Sequence, residues 1–501
     1  MDSYVNPRTM LIKEKNKDFT DFDGFREALA YFISTETGRP FRAISVGKGG
    51  KFKMLPETLA KINQKELHLH HIHFPGGAKG EKIISSLECF RTIRFTQCIF
   101  SVKKIPLSFP RVSFFDCRFV SEYEVVEMKL RKEFSYDDCL YQKCTFEREV
   151  VCVGEDQKER KIISNPLFSG CIFSEGIKLK GLELNGYLFD GDTRYPTVVE
   201  KIIANDCVFH DATYLNDMDS MGLAEFVSCV FKGKFEFKNN VARELLVDNC
   251  NFEKMADFYG GNIFEMTLTK SIFSKFAGFE NCIFGLLGSK DAFGQFVSTE
   301  KPTGKTVTLR FVTFLEFASF RGAKFKGGLD VEKINTMETP NFHNVELDFE
   351  GSNRETFRAI KHALDNHGGH IEANSFFALE MKKYKKEMVG RWPDRLVYSA
   401  SKFFSNFGQC YICAVSWISV LSMVFYLLTI AQTHNCLYKI YPEYNPLISK
   451  ISDFFNGWAS GFLPFKQFLR PGMEFVSLVF SIAFGVLIWQ VIVSMKRLIK
   501  R

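Results

Sequence analysis

One short phrase returns throughout the middle of this chain: a small residue, any residue, then Phe. It reads Cys98-Ile99-Phe100, Cys117-Arg118-Phe119, Cys144-Thr145-Phe146, Cys171-Ile172-Phe173, Cys207-Val208-Phe209, Cys229-Val230-Phe231, Cys250-Asn251-Phe252 and Cys282-Ile283-Phe284. Ser271-Ile272-Phe273, Ala318-Ser319-Phe320 and Ala323-Lys324-Phe325 fill the same slots with Ser or Ala. A second apolar residue often stands five positions earlier, as Phe95, Phe114, Phe168 and Phe226 do, and Leu179-Leu184-Phe189 and Leu315-Phe320-Phe325 run three in a row. An interval of five matches neither the helix period of about 3.6 nor the strand period of about 2. It predicts a coil with flat sides, each turning one large and one small residue inward. Successive coils then stack as a parallel β-ladder about 4.8 Å apart.

Over roughly residues 87–347 the pattern resembles the pentapeptide-repeat family, which has Leu or Phe at the central inward position and Ala or Cys two residues before it. The resemblance implies a mainly β fold, a right-handed quadrilateral β-helix. The interval stretches between Cys117 and Cys207, and Gly154–Lys161 and Gly191–Pro196 read as loops extruded from the coil. The family includes DNA mimics, inert scaffolds and membrane-linked proteins, so the likeness implies architecture and leaves activity open. We place an α/β N-terminal cap at 1–80, the β-helix at 81–350, a helical hairpin at 352–390 and a membrane domain at 405–501.

Eight of the 14 cysteines occupy the small inward slot, where a thiol packs as a compact apolar group. Cys98, Cys117, Cys171, Cys207, Cys229, Cys250 and Cys282, with Phe100, Phe119, Phe173, Phe209, Phe231, Phe252 and Phe284, are therefore expected in the structural core. None of the eight lies in a Cys-x-x-Cys pair, which argues against zinc, and a ladder of free thiols suits a reducing compartment. The 55 phenylalanines are explained as rings stacked along the interior rather than as a surface for bases.

Charged residues from Arg8 to Asp21 break up any leader-like apolar run at the N-terminus. Phe25, Leu29, Phe32 and Ile33 predict a helix ending near Gly38-Arg39-Pro40. Gly47-Lys48-Gly49-Gly50-Lys51 has the look of a phosphate loop without the Walker spacing or the following Ser/Thr. Leu67-His68-Leu69-His70-His71-Ile72-His73-Phe74 holds four histidines, enough to raise a metal site, but the alternating apolar residues read better as the first strand of the coil. We expect no cofactor and no metal.

Residues 81–350 carry 34 Lys and Arg against 40 Asp and Glu, although the whole chain is +7. The basic surplus thus lies off the coil, so nucleic acid, which needs clustered cations, is not an expected partner. About thirteen coils at ~4.8 Å would make a rod ~60 Å long, too weakly acidic for DNA mimicry.

Ser352-Asn353-Arg354-Glu355 reads as a capping box with Ser352 as N-cap and Glu355 reaching back. Phe357, Ile360 and Leu364 mark one helix, stopped by Gly368-Gly369, and Ala373, Phe377, Glu380 or Met381, Tyr384 and Met388 mark another. The pair resembles a tetratricopeptide-type unit, and the run from Glu355 to Lys386 resembles the junction in bacterial pentapeptide-repeat proteins that end in a membrane domain. One such pair cannot bury both faces, so its outer face needs the last coil, another subunit or a partner.

Residues 411–431 and 475–494 hold no charge, and at ~1.5 Å per residue each run reaches ~30 Å, the thickness of a hydrocarbon core. Lys382, Lys383, Lys385, Lys386, Arg391, Arg395 and Lys402 precede the first, and Lys496, Arg497, Lys500 and Arg501 follow the second. The positive-inside rule predicts an inner (cytoplasmic) membrane protein with both termini in the cytoplasm. Between the spans, 445–469 reads as an extracytoplasmic amphipathic helix lying at the interface or re-entering the membrane. There Asp453, Phe454, Phe455, Asn456, Trp458, Phe462 and Phe465 are the candidate membrane-contact or pore residues. Some relatives with this layout carry a potassium-filter phrase here; this chain has none. Cys436 is a lone candidate for an intersubunit disulfide.

No catalytic constellation emerges, and we expect no enzyme. Two functions are consistent with the sequence. In the first, a membrane-anchored cytosolic scaffold binds a protein partner on the coil or cap. In the second, a sensor-effector, by analogy an anti-phage or suicide protein, oligomerises through its hairpins and permeabilises the bilayer.

Overall fold

The computed structural model describes residues 22–38, 44–46, 52–54, 60, 66–105, 111–125, 139–154, 160–191, 197–286, 288–290, 296–298, 305–387, 392–433, 446–460, 467, 469–471 and 473–499. The chain divides into two compact units, Met1–Ser352 and Asn353–Arg501.

The recurring phrase builds the first unit as a parallel β-solenoid of about 11 turns. Its inward residues stand in register from turn to turn. Phe209 aligns with Phe231, Phe231 with Phe252, Phe252 with Phe273 and Phe273 with Phe314. Their ring centroids are 4.8, 4.8, 4.6 and 5.1 Å apart, the spacing of the backbone ladder that carries them. Phe74, Phe100, Phe119, Phe146 and Phe173 form a similar column, with centroids 4.9, 5.0, 4.7 and 5.0 Å apart. Phe258, Phe279, Phe320 and Phe342 make a third, at 4.7, 5.0 and 4.9 Å.

All eight slot cysteines are buried. Each fits because its thiol reaches a carbonyl of the preceding turn: Cys229 Sγ lies 3.3 Å from Ala204 O and Cys250 Sγ 3.3 Å from Phe226 O. Ser271 satisfies the same slot with its hydroxyl, donating to Thr269 O at 2.8 Å and accepting from Cys250 N at 3.1 Å. The residue before the slot turns the corner in a left-handed conformation: Gln97, Asp116, Lys143, Asp206, Ser228, Asn249 and Asn281 have φ between 52° and 55°. Asn and Asp tolerate this region best. Glycine is required at Gly176, where φ is +98° and a Cβ would lie 2.2 Å from Lys201 O in the next turn.

There are fewer turns than the thirteen expected from length because the chain leaves the ladder and returns. Gly154 N donates to Lys180 O and Lys161 N to the adjacent Gly181 O, so the segment between them adds no turn, as expected. A second excursion was not foreseen. After Phe284, Gly288–Lys290 and Phe296–Ser298 pair antiparallel outside the ladder, and facing neighbours Lys275 and Glu316 end up 41 residues apart. Gly191–Pro196 falls mostly outside the described residues. Leu315 departs from the expected inward run: it is 37 % exposed, while Phe320 and Phe325 are buried. The left-handed Phe311 and the irregular register between Arg310 and Val312 change the facing of the strand that leads into Leu315.

Helix α1 (Phe22–Thr37) covers the first turn, burying Phe25, Leu29 and Ile33, and stops at Gly38, whose φ is +64°. Phe25 sets its ring 6.1 Å from Phe74, the first ring of its column. A short helix, α2 (Gly77–Ser85), follows the first strands. Leu67–His70 is a coil strand with Leu67 and Leu69 inward. The histidines here have separate partners: His68 Nε2 lies 2.8 Å from Thr96 Oγ1, His70 Nε2 3.3 Å from Glu36 Oε1, and His73 Nε2, in the next strand, 2.9 Å from Ser101 Oγ. Among the described residues no three His, Cys, Asp or Glu side chains converge on a metal geometry. Gly47–Lys51 lies outside the described residues.

The surface charges of the solenoid pair across turns. Arg160 meets Asp206 at 2.7 Å, Lys238 meets Asp257 at 3.1 Å and Lys305 meets Glu265 at 2.7 Å. Such exposed pairs add little stability, about 0–1 kcal/mol each, but they leave the coil surface a mixture of signs rather than a one-sign stripe. Glu236 is the exception in depth. Burial opposes its ionisation, but Lys234, Asn216 and Lys238 outweigh burial and hold its carboxyl below the usual range.

The second unit opens with α3 (Arg354–Asn366) and α4 (His370–Glu387). The expected cap is displaced by one residue. Asn353 Oδ1 accepts from Thr356 N at 2.8 Å and is the N-cap, whereas Ser352 Oγ donates to Asp348 O at 2.7 Å and accepts from Leu329 N at 3.1 Å, closing the last turn. Glu355 pairs with Arg358 at 3.5 Å instead of reaching back. Asn353→Ala is therefore expected to cost about 1 kcal/mol, read as lower thermal stability of this unit, and Ser352→Ala to destabilise the end of the solenoid instead.

Candidate functional site

The long uncharged runs fold as α6 (Tyr411–Thr433) and α8 (Glu474–Ile499), with the shorter α7 (Pro446–Ser460) between them. Uncharged runs dominated by Leu, Ile, Val and Phe, with only a few Ser, Thr and Gln, give helices apolar nearly all round, which is the condition for a lipid-facing element. Tyr411–Ala431 spans 21 residues and Glu474–Lys496 spans 23, long and apolar enough to cross a membrane; 11 % and 17 % of their most apolar windows are buried. A core helix of a water-soluble domain would bury far more. Met423, Leu427, Ile488, Trp489 and Ile492 are all exposed.

The two helices are antiparallel neighbours. Near one end Phe425 and Phe480 meet with ring centroids 5.0 Å apart, and the Arg470 guanidinium lies 5.7 Å from the Phe425 ring. Toward the other end Gln490, a polar residue of α8, accepts from Ser405 Oγ at 2.8 Å. Ser494 donates back to Gln490 O at 2.8 Å, so both buried hydroxyls are satisfied within the helical unit.

Ser405 ends α5 (Trp392–Ser405), a helix missed in the sequence because its basic residues read as a membrane flank. Pro393 in its first turn and Asp394 after it were the available signal. This helix supplies what the α3–α4 pair lacked. α4 has two working faces: Phe376 lies 6.4 Å from Phe357 of α3, while Phe377, Met381 and Tyr384 pack against Tyr398 and Phe407. Phe376, which the sequence pattern of this helix did not single out, is the side chain buried toward α3.

Of the residues expected to touch the membrane or a pore, five are described. Asp453 is exposed, Phe454 is 69 % exposed and Trp458 52 % exposed. Phe455 lies 4.9 Å from Phe475, and Trp458 is 6.4 Å from the same ring. Asn456 Oδ1 accepts from Phe475 N at 3.0 Å, so this side chain caps the first turn of α8. α7 is thereby tied to the start of α8 through one cap and an aromatic cluster. Phe462, Phe465 and Cys436 lie outside the described residues.

A pair absent from the sequence reading stands at the entry to α6. Cys410 and Cys413 form a disulfide with Cα atoms 5.4 Å apart. The spacing Cys-x-x-Cys is the signal the sequence carries for it. The preceding turn carries Asn406, Phe407 and Gly408, all with positive φ. Gly408 N donates to Ser405 Oγ at 3.0 Å, Cys410 N to Ser405 O at 3.0 Å, and Gln409 Nε2 to Asn374 O at 3.1 Å. No family model, no curated protein and no solved structure matches this chain.

Proposed function

We propose that this chain is a non-enzymatic, membrane-anchored scaffold of pentapeptide-repeat type from a bacterium, its coil a right-handed four-sided prism presented to the cytosol for a protein partner. α6 and α8 hold it in the inner membrane with both termini inside, and the basic residues before α6 and after α8 mark that side. The observation that carries this reading is the exposure of apolar surface on both long helices, which requires lipid or other chains around them. Charges on the coil that pair across turns support a protein partner over a nucleic acid. Alkaline carbonate washing of membranes should leave the full chain in the pellet, and protease added outside spheroplasts should spare the coil. Release by carbonate, or digestion of the coil from outside, overturns the reading.

A second reading rests on α7, whose Phe454, Phe455 and Trp458 remain exposed beside the start of α8. It makes the helical unit a membrane-permeabilising effector that assembles through this aromatic face. Expression should then collapse the potential reported by a voltage-sensitive dye, and replacing residues 445–469 with a polar linker should restore it. An intact potential on overexpression leaves the scaffold.

A further inference from the structure

We propose that Cys410 and Cys413 are a redox-active dithiol–disulfide site that exchanges with low-molecular-weight thiols and disulfides of the glutathione class. The inference goes beyond the anchoring role and does not depend on whether the hairpin conducts.

Three observations carry it. First, the two side chains are the right distance apart for reversible closure. Residues three apart share a helix face, and the Cα separation of 5.4 Å lies within the range that a disulfide spans. Second, position separates this pair from the chain's other thiols: it stands at the very start of the apolar span, at its end rather than its middle, and outside the coil. Cys413 is exposed and Cys410 half-buried, whereas among the eleven other described cysteines ten are buried and Cys89 is half-buried. Third, Cys410 sits where a thiolate is stabilised. Cys413 N donates to Cys410 Sγ at 3.2 Å at the positive end of α6, which favours the form that attacks a disulfide.

The chemistry balances without any group beyond the two thiols and the small disulfide. The Cys410 thiolate attacks one sulfur of RSSR, forming a Cys410–S–S–R mixed disulfide and releasing RS⁻. Cys413 then loses its proton to solvent, and its thiolate attacks Cys410 Sγ and expels the second RS⁻. Two protein thiols are oxidised by two electrons while RSSR becomes two RSH; excess RSH runs the same steps backward. Closure pins the first turn of α6 to the loop that Gln409 ties to α4 and Ser405 ties to α8.

The test uses the full-length protein in detergent micelles, equilibrated without oxygen in mixtures of reduced and oxidised glutathione, acid-quenched and then alkylated under denaturing conditions. Peptide mapping is expected to show Cys410 and Cys413 losing their label together, along a two-electron curve of about 30 mV per tenfold change in the oxidised-to-reduced ratio. Cys229, Cys250 and Cys282 should stay labelled throughout. Cys413→Ser should trap one glutathione on Cys410, and Cys410→Ser should trap far less. The proposal fails if both thiols persist in the most oxidising mixture, if they titrate independently, or if either pairs with Cys436. Glutathione captured equally by both single variants overturns the assignment of Cys410 as nucleophile.

Discussion

Phe252→Ala is expected to cost about 3–5 kcal/mol, the range for truncating a fully buried aromatic ring in a core that cannot collapse around the gap. Phe252 is 1 % exposed and lies between Phe231 and Phe273, 4.8 and 4.6 Å away and nearly parallel to both. A third ring, Phe235, approaches edge-on at 5.3 Å. The backbone ladder fixes the distance between turns, so neighbouring rings cannot slide in to fill the space. In a solenoid each turn is stabilised by its two neighbours, so the damage should be local before it is global. Hydrogen exchange should accelerate first in the strands around residues 230–273, with the turns near Phe100 and Phe119 retaining protection. Leu315→Ala is the control. Although the five-residue pattern marks Leu315 as inward, its partial exposure predicts a loss of under about 1 kcal/mol. Equal losses at the two positions would mean that the ring columns do not hold the coil together.

The coil was legible because every turn repeats the same steric problem. A short side needs one small and one large inward residue, and Cys-x-Phe answers it many times over, so errors at single positions do not obscure the pattern. What was lost in reading had no such redundancy. Leu315 keeps the interval but follows a bulge, which only the pairing of Val307–Phe314 with Leu329–Thr336 reveals. Ser352 and Asn353 are equally good caps by type. The choice is made by Leu329 N, a long-range donor that claims the serine. α5 was invisible because 14 residues with a proline near the start and two basic side chains look like a flank, and its apolar side has meaning only once Phe377 and Tyr384 are placed opposite. The hairpin was readable from length and absence of charge alone. Its detail was not: that Asn456 caps α8, and that Ser405 reaches Gln490, depend on the antiparallel register of the helices.

Alkaline pH should unfold the solenoid more steeply than its length explains, because the buried thiols of Cys152 and the slot residue Cys282 resist ionisation. Burial pushes the Cys152 and Cys282 thiols up to about 12, from an ordinary value near 9. The sign follows from proton binding. Below about pH 9 the thiols are protonated in both folded and unfolded chains and contribute no pH dependence. Between about 9 and 12 the unfolded chain loses the protons that the folded chain keeps, so stability falls as pH rises. Each such thiol contributes a slope of about 1.4 kcal/mol per pH unit, and the two together about 3 kcal/mol per pH unit. Urea midpoints measured from pH 8 to pH 11 should be flat at first and then fall. The double variant Cys152→Ala/Cys282→Ala should start lower, since it loses packing, but fall less steeply. Alanine is a fair replacement at Cys282 because Ala323 occupies its slot one turn on, where Ile283 aligns with Lys324, and at Cys152 because Ala204 stands in its column two turns on, through Leu179. A wild-type curve parallel to that of the double variant would show that these thiols ionise freely. Such a result would place them in contact with solvent rather than sealed against the carbonyls of the preceding turn.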